Sequence, residues 1–275
     1  MDTLEFKPVE ALSGLEHLIR FLSDSRILHS FYVEFGRRLY TLELVLKFCP
    51  PGSKIVDLGA SPFIVSCALA CMGYDVVAVD YDPAEYSIVA SACGVKTIKA
   101  DLERDELDLA DDSMDCALFA EVLEHLNPYY VSHTVSEINR VLKPGGRLIL
   151  TTPNIASLFR RLRLLLGIQP QYATHVREYT KKEVEKLLLE HGFKVLISQY
   201  SEVNDLTLVD AEPREYLKLK SYRDLLELAM KRPTKLNLLR ALAYPLIKAI
   251  PSLRMLIVVI AEKASRAKPR KTARW

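Results

Sequence analysis

A chain of 275 residues that is 49% hydrophobic and 26% charged is long enough for one large domain, and its balance excludes an intrinsically disordered protein. Its net charge is only +2, so the molecule as a whole carries no strong field for nucleic acid. From the N-terminus, residues 9–49 read as helices. Leu12, Leu15, Leu18, Ile19 and Leu22 recur at helical spacing, and so do Phe35, Leu39, Leu42, Val45, Leu46 and Cys49. Pro50-Pro51-Gly52 stops the second pattern. Strands are then expected at Ile55–Leu58, Asp75–Val79, Val95–Ala100, Asp115–Phe119 and Arg147–Thr152. Between them come helices over Ile64–Met72, from Pro83, and over Val131–Leu142, the last closed by Pro144-Gly145-Gly146. Thr180–Gly192 is a helix with a capping box formed by Thr180 and Glu183, and Phe193–Ser198 is a strand. An amphipathic helix is expected over Tyr216–Met230 and a last strand over Met255–Ala261.

Five strands with intervening helices in about a hundred residues predict a doubly wound α/β fold with right-handed crossovers. Continuous apolar strands such as VVAV and LIL predict burial on both faces. Ligands of such sheets sit at the carboxyl ends of the strands, which directs attention to Asp57–Gly59, Asp80, Asp101, Phe119–Glu121 and Thr151–Asn154. The first strand ends in Asp57-Leu58-Gly59-Ala60-Ser61-Pro62-Phe63, a small-residue turn that lets backbone approach a ligand at a helix start. The second ends in Asp80, 21 positions after Gly59, where a carboxylate can accept both hydroxyls of a ribose. A nicotinamide enzyme would also use such an acid, although GxGxxG is absent. Asp101, at the end of the third strand, can reach an adenine amino group, and the following backbone can reach a ring nitrogen.

The pieces DLGASPF, VVAVDYDP, KADLE, FAEVLEHL and RVLKPGGRLILTTPN, in this order, resemble the class I S-adenosylmethionine-dependent methyltransferases over about residues 40–200. The resemblance implies a mostly parallel, seven-stranded Rossmann-like sheet whose final strand is antiparallel. It implies S-adenosylmethionine as methyl donor, with Asp57 and Gly59 along its methionine portion and Ser61 and Glu121 also among the cofactor-binding residues. Asp80 would hold the ribose, Tyr81 would flank the adenine, and Asp101 and Leu102 would contact its edge. One departure stands out. The family's first turn carries further glycines, whereas Ala60, Pro62 and Phe63 occupy it here, with Phe63 at the expected point of closest backbone approach. The alternative is a methyltransferase-like binding module without catalysis.

Methyl transfer to oxygen requires an acceptor held in line with the methyl and a group to take its proton. Glu121, Glu124 and His125 stand at i, i+3 and i+4, so on a helical turn they would share one face. With His175 in Thr174-His175-Val176-Arg177-Glu178-Tyr179-Thr180, they make Glu121, His125 and His175 the candidate catalytic residues. The ExxEH pattern resembles ubiquinone-type O-methyltransferases. With the later His-x-x-Glu-aromatic-Thr it also resembles the small-RNA 3′-terminal 2′-O-methyltransferases, where such residues bind a divalent cation. Metal ligation, a metal-free base and a structural role all remain open for this cluster.

The organisation expected is a helical cap (1–50), a cofactor-binding core (51–200), a helical insertion with the last strand (201–262) and a basic tail (263–275). The tail carries Lys263, Arg266, Lys268, Arg270, Lys271 and Arg274 without an acid, as a frayed end or a contact with an anionic partner. Leu236–Ala264 is apolar, but Arg240, Lys248, Arg254, Pro245 and Pro251 interrupt it short of a membrane span. Peripheral membrane contact fits these helices, as does an ordinary core face. The additions point to a small-molecule, sugar or lipid-linked glycan acceptor, and the basic residues lack the aromatic interleaving of a nucleic-acid surface. Cys49, Cys67, Cys71, Cys93 and Cys116 form no CxxC pair and are odd in number, which fits reduced thiols in the cytoplasm, with Cys67 and Cys71 on one buried helix face. MDTLEFKPVE has no basic region ahead of an apolar run, so no signal peptide is expected.

Overall fold

Residues 7–21 and 25–264 are described by the computed structural model, which leaves Leu22 and the tail cations Arg266, Lys268, Arg270, Lys271 and Arg274 outside the described residues. Three helices come first: α1 (Pro8–Phe21), α2 (Ser25–Val33) and α3 (Phe35–Phe48). Leu12, Leu15 and Ile19 of α1 and Phe31, Phe35, Leu42 and Val45 of the next two are buried, as their helical spacing requires. Gly52 (φ 74°) turns the chain after α3. The alternating region follows as β1 (Lys54–Leu58), α4 (Ile64–Cys71), β2 (Asp75–Asp80), α5 (Ser87–Ala92), β3 (Lys96–Lys99), β4 (Met114–Ala120), α6 (Val131–Val141) and β5 (Leu142–Pro153). Then come α7 (Leu158–Leu165), α8 (Lys181–Glu190), β6 (Phe193–Ser201), α9 (Val203–Thr207), α10 (Tyr222–Lys231), α11 (Lys235–Ala249) and β7 (Leu256–Lys263).

The seven strands form one sheet in the order β3-β2-β1-β4-β5-β7-β6, parallel except for β7, which runs antiparallel to both neighbours. Alternate residues serve two cores. Ile55, Leu118, Ile149, Val258 and Ile260 face α1 to α4, while Val56, Phe119, Leu148, Leu150 and Val259 face α6 and α8. Each such aliphatic side chain contributes about 1.5–3 kcal/mol by leaving water. The chain reverses its strand order between β1 and β4, so a crevice opens at their carboxyl ends.

Several local expectations change. The Asp82 N–H bonds back to Asp80 Oδ1 (3.3 Å), so the chain turns first and α5 begins at Ser87 instead of Pro83. Pro144-Gly145-Gly146 is an irregularity inside β5, whose pairing with β4 shifts register there. The single helix expected over Tyr216–Met230 is broken, because Ser221 accepts from Asp224 N and caps a separate α10. Cys71 is exposed at the end of α4. Cys49 and Cys116 are joined in a disulfide between the end of α3 and β4, against the expectation of reduced thiols at those two positions.

The unusual first turn has a clear construction. Phe63 adopts a left-handed backbone (φ 65°) at the start of α4, and its ring is fully buried in the core on the α1–α4 side. Phe63 is therefore a packing residue, and Ala60-Ser61-Pro62 turn toward the crevice in its place. Gly59 (φ 67°) donates its N–H to Val79 O (2.8 Å), and a Cβ there would stand 2.5 Å from Val122 Cγ2. Gly59→Ala is expected to lower stability by about 1–3 kcal/mol through strain and overpacking. Adding Val122→Ala should recover the overpacking part only, and equal melting midpoints for the single and double variants would contradict this assignment.

Candidate active site

Two cavities open at the carboxyl end of the sheet, and Gly59 lines both. The smaller, about 360 Å³, is walled by Asp80, Tyr81, Asp101 and Leu102, with Val122 and Leu126 beneath. Asp80 Oδ2 accepts the Ser61 N–H (2.9 Å), which orients a carboxylate that still has acceptor capacity for hydroxyls. Asp101 Oδ1 accepts the Glu103 N–H (3.0 Å), and Tyr81 is 70% exposed at the rim. Ser61 belongs to the larger cavity with Asp57 and Glu121. All seven residues expected from the strand ends to bind the cofactor, together with Glu121, thus line one cavity or the other.

The larger cavity, about 440 Å³, also takes Arg37, Arg38 and Thr41 from α3, Arg160 from α7, Tyr172, and Asn204 and Thr207 from α9. Asp57 is buried, and the Ser66 hydroxyl donates to its Oδ2 (2.5 Å). Burial pushes the Asp57 carboxyl up to about 7; the Ser66 hydrogen bond opposes the shift and the nearby Asp80 adds to it.

Glu121 does not share a face with Glu124 and His125. It has a left-handed backbone (φ 58°) and precedes the short 3-10 turn Leu123–His125, so the i, i+3, i+4 relation of a helix does not apply. Its Oε2 accepts from Arg37 Nη1 (2.6 Å) and its Oε1 from the Thr151 hydroxyl (2.9 Å). Arg37 also meets Glu34 (3.1 Å); burial disfavours its charge, but Glu121 and Glu34 outweigh that and raise its pKa.

The cluster that does form is Glu124, His125 and His175, each offering one ligand atom within 4.8 Å of the others. Val176 N and Arg177 N donate to Glu124 O (2.9 and 3.1 Å), which brings the His175 segment over the end of β4. The imidazoles meet edge to face with ring centres 4.9 Å apart. His125 Nδ1 donates to Thr174 O (3.1 Å), and His175 Nδ1 donates to Glu178 Oε1 (2.8 Å). Both Nε2 atoms are left for other partners. Burial lowers the His125 pKa, the Thr174 bond opposes it and His175 adds to it. Burial and the neighbouring Glu121 charge push the Glu124 carboxyl well up, against the Thr152 hydroxyl that donates to its Oε2 (2.9 Å). Glu178 is clamped by Arg160 Nε and Nη2 (2.7 and 2.6 Å); burial works against its charge, but the His175 and Arg160 bonds hold it below the usual carboxylate range.

Arg37, Arg38 and Arg160 were not among the sequence candidates. The available signal was the Arg37-Arg38 pair three and four residues after Glu34.

A family model for a methyltransferase domain matches residues 32–198. The chain belongs to the class I S-adenosylmethionine-dependent methyltransferase family. It is 35% identical over 141 residues to a probable S-adenosylmethionine-dependent methyltransferase of Mycobacterium tuberculosis, covering 50% of this chain and 48% of that one. It is 33% identical over 116 residues to an uncharacterized methyltransferase of Mycobacterium bovis, covering 42% and 46%. The chain spans about half the length of the curated relatives it matches. Among solved structures it shares its fold with a SAM-dependent methyltransferase from Archaeoglobus fulgidus (TM-score 0.58, 18% identity, 87% of this chain and 100% of that one). Another from Methanosarcina mazei has TM-score 0.55 at 18% identity, over 81% and 98%.

The residues present suit the family's cofactor. Gly59 leaves a cradle that a Cβ would fill, Asp80 faces the adenosine-sized cavity, and Asp57 and Glu121 offer carboxylates where an amino-acid ammonium would lie. A raised Asp57 pKa means that its neutral form is favoured on folding, so stability falls as pH rises from the ordinary carboxylate range to about 7. Asp57→Asn is therefore expected to raise the melting midpoint of the ligand-free protein at pH 8, by about 2–4 °C for each kcal/mol relieved. The same change should weaken S-adenosylhomocysteine about tenfold or more, and wild-type affinity should climb with pH up to about 7. Calorimetry and thermal melts read both, and an unchanged or lowered midpoint would contradict the assigned cause.

Proposed function

We propose that the protein is a working methyltransferase that O-methylates a small hydroxylated acceptor, a sugar or a lipid-linked glycan. The observation that carries this reading is the pair of imidazoles, His125 and His175, held edge to face on the wall of the cavity that contains Gly59 and Glu121. Bound S-adenosylmethionine supplies an already activated methyl group. The chain's own residues then position and deprotonate the acceptor. Glu178 fixes the His175 tautomer and Thr174 O fixes that of His125, so that each Nε2 can take a hydroxyl proton. Asn204, Thr207, Thr174 and Glu34 give the same cavity a polar lining suited to hydroxyl groups. Glu121, tied to Arg37 and Thr151, belongs to the methionine side.

A second reading has its own observation. Glu124, His125 and His175 would hold a divalent cation with Thr174 O and Glu178 as supporting partners, the arrangement that orients metal-bound imidazoles. Such a cation would lower the pKa of an acceptor hydroxyl, and RNA 2′-O-methylation is the corresponding activity.

Labelled methyl donor with sugar, lipid-linked glycan and RNA acceptors separates these readings. His125→Ala and His175→Ala are each expected to lower kcat about 10²–10⁴-fold while leaving S-adenosylhomocysteine affinity unchanged. Glu178→Gln should lower kcat less, with KM unaffected. Full turnover in chelator, with no metal in the purified protein by mass spectrometry, removes the second reading. Absence of any heat on titrating S-adenosylhomocysteine removes both.

A further inference from the structure

Helix α11 is apolar on both sides. Its buried face carries Asn237, Arg240, Ala241, Tyr244 and Ile247, while Leu238, Leu239, Leu242, Leu246 and Ile250 are exposed. These exposed residues recur at i, i+1, i+4, i+8 and i+12, one stripe along the helix. A helix settled between core and water keeps such a stripe of large apolar residues off its solvent side. Of the inward polar groups, Asn237 Nδ2 donates to Asp210 O and Arg232 O (2.8 and 3.0 Å), and the Arg240 guanidinium lies 4.0 Å over the Phe159 ring while its Nε has no hydrogen-bond partner among the described residues.

Helix α7 repeats the pattern independently. Arg160 is buried against Glu178, while Leu164, Leu165 and Leu166 are 65%, 82% and 74% exposed, followed by exposed Ile168. The two helices are neighbours where Arg240 covers Phe159. Arg160, Tyr172, Thr174 and His175, which line the larger cavity, belong to the same stretch of chain as α7.

We propose that α7, the segment after it and α11 form a docking surface for an anionic lipid bilayer. The charge pattern selects this occupant. No Asp or Glu stands between Ile138 and Arg177 or between Leu228 and Ala261, whereas Arg161, Arg163, Lys235 and Lys248 are exposed among the leucines. A second copy of the same face would bring these cations together, while acidic headgroups neutralise them. Among the described residues no helix is long and apolar enough to cross a membrane, so the surface lies on the bilayer and does not span it. The basic tail is not needed: β7 ends with Lys263 bonded to Asp112 (2.6 Å), beside the start of β4 and away from the cavity. The docking surface does not depend on the acceptor proposed above, because lipid binding needs no turnover.

Flotation of the full chain with phosphatidylcholine vesicles, with and without phosphatidylserine, tests it. Wild type is expected to float with the anionic vesicles and to be released by salt. Leu165→Glu with Leu242→Glu changes two side chains that are 82% and 80% exposed, and should cut binding about tenfold or more with unchanged melting midpoint and S-adenosylhomocysteine affinity. Wild type that stays with neither vesicle overturns the proposal, as does equal binding by the double variant. Light scattering closes the remaining case: a wild-type dimer that the double variant dissolves, without vesicle binding, would assign this face to self-association and overturn the lipid.

Discussion

Arg37 determines the form of the crevice. It rises from a helix outside the α/β frame and reaches Glu121 at the end of β4, so that α3 is pinned across the carboxyl end of the sheet. Glu121 holds a left-handed backbone, which for a residue with a side chain costs on the order of 1–3 kcal/mol. The charge-assisted bond from Arg37 and the hydroxyl of Thr151 offset that strain. The Glu121 carboxylate is taken up by Arg37 and Thr151 while still close enough to raise the Glu124 pKa, and Glu124 groups with the two histidines. One ion pair thus links the helical cap to the carboxyl end of β4 beside the histidine cluster.

Two further buried arginines show how much geometry matters to a buried charge. Arg160 grips Glu178 through two nitrogens, and Glu178 in turn fixes an imidazole. Arg240 approaches Asp205 only to 3.9 Å, with Asp205 Oδ1 and Arg240 Nε lacking a hydrogen-bond partner among the described residues. Burial accordingly pushes the Asp205 carboxyl up to about 7, while Glu178 stays ionised. The first pair holds the imidazole of His175; the second anchors α11 to the core near Met255, whose N–H bonds to Asp205 (3.1 Å).

The sheet and the cavities at its carboxyl edge were legible because their signals are local. Strands buried on both faces read as apolar runs, and a doubly wound sheet opens its crevice at strand ends, where Gly59, Asp80, Asp101 and Leu102 line a cavity. Arg37, Arg160 and Asn204 were not legible, since they enter from helices whose placement over the sheet no periodicity reveals. Glu121 was misread for a different reason: spacing implies a shared face only where the backbone is helical, and a single left-handed residue cancels the rule. The Cys49–Cys116 bridge, 67 residues apart in sequence, was hidden for the first reason again.

Helix α11 carries that argument one step further. In sequence, Arg240 counts as an interruption of an apolar segment, and an interruption is naturally assigned to the solvent side. The structure places it inside, where Asn237 finds backbone acceptors, Arg240 an aromatic face, and Ala241, Tyr244 and Ile247 the core, while the leucines stay outside. Average hydropathy and amphipathic spacing are the same whichever face points inward, so neither distinguishes a core helix from one that presents its apolar face outward. What fixes the direction is where the polar side chains can be satisfied, since an unmet buried polar group is penalised more heavily than an exposed leucine. The orientation of α11, and with it the character of the surface beside the crevice, therefore rests on the hydrogen bonds of one asparagine and the stacking of one arginine together with the burial of Ala241, Tyr244 and Ile247.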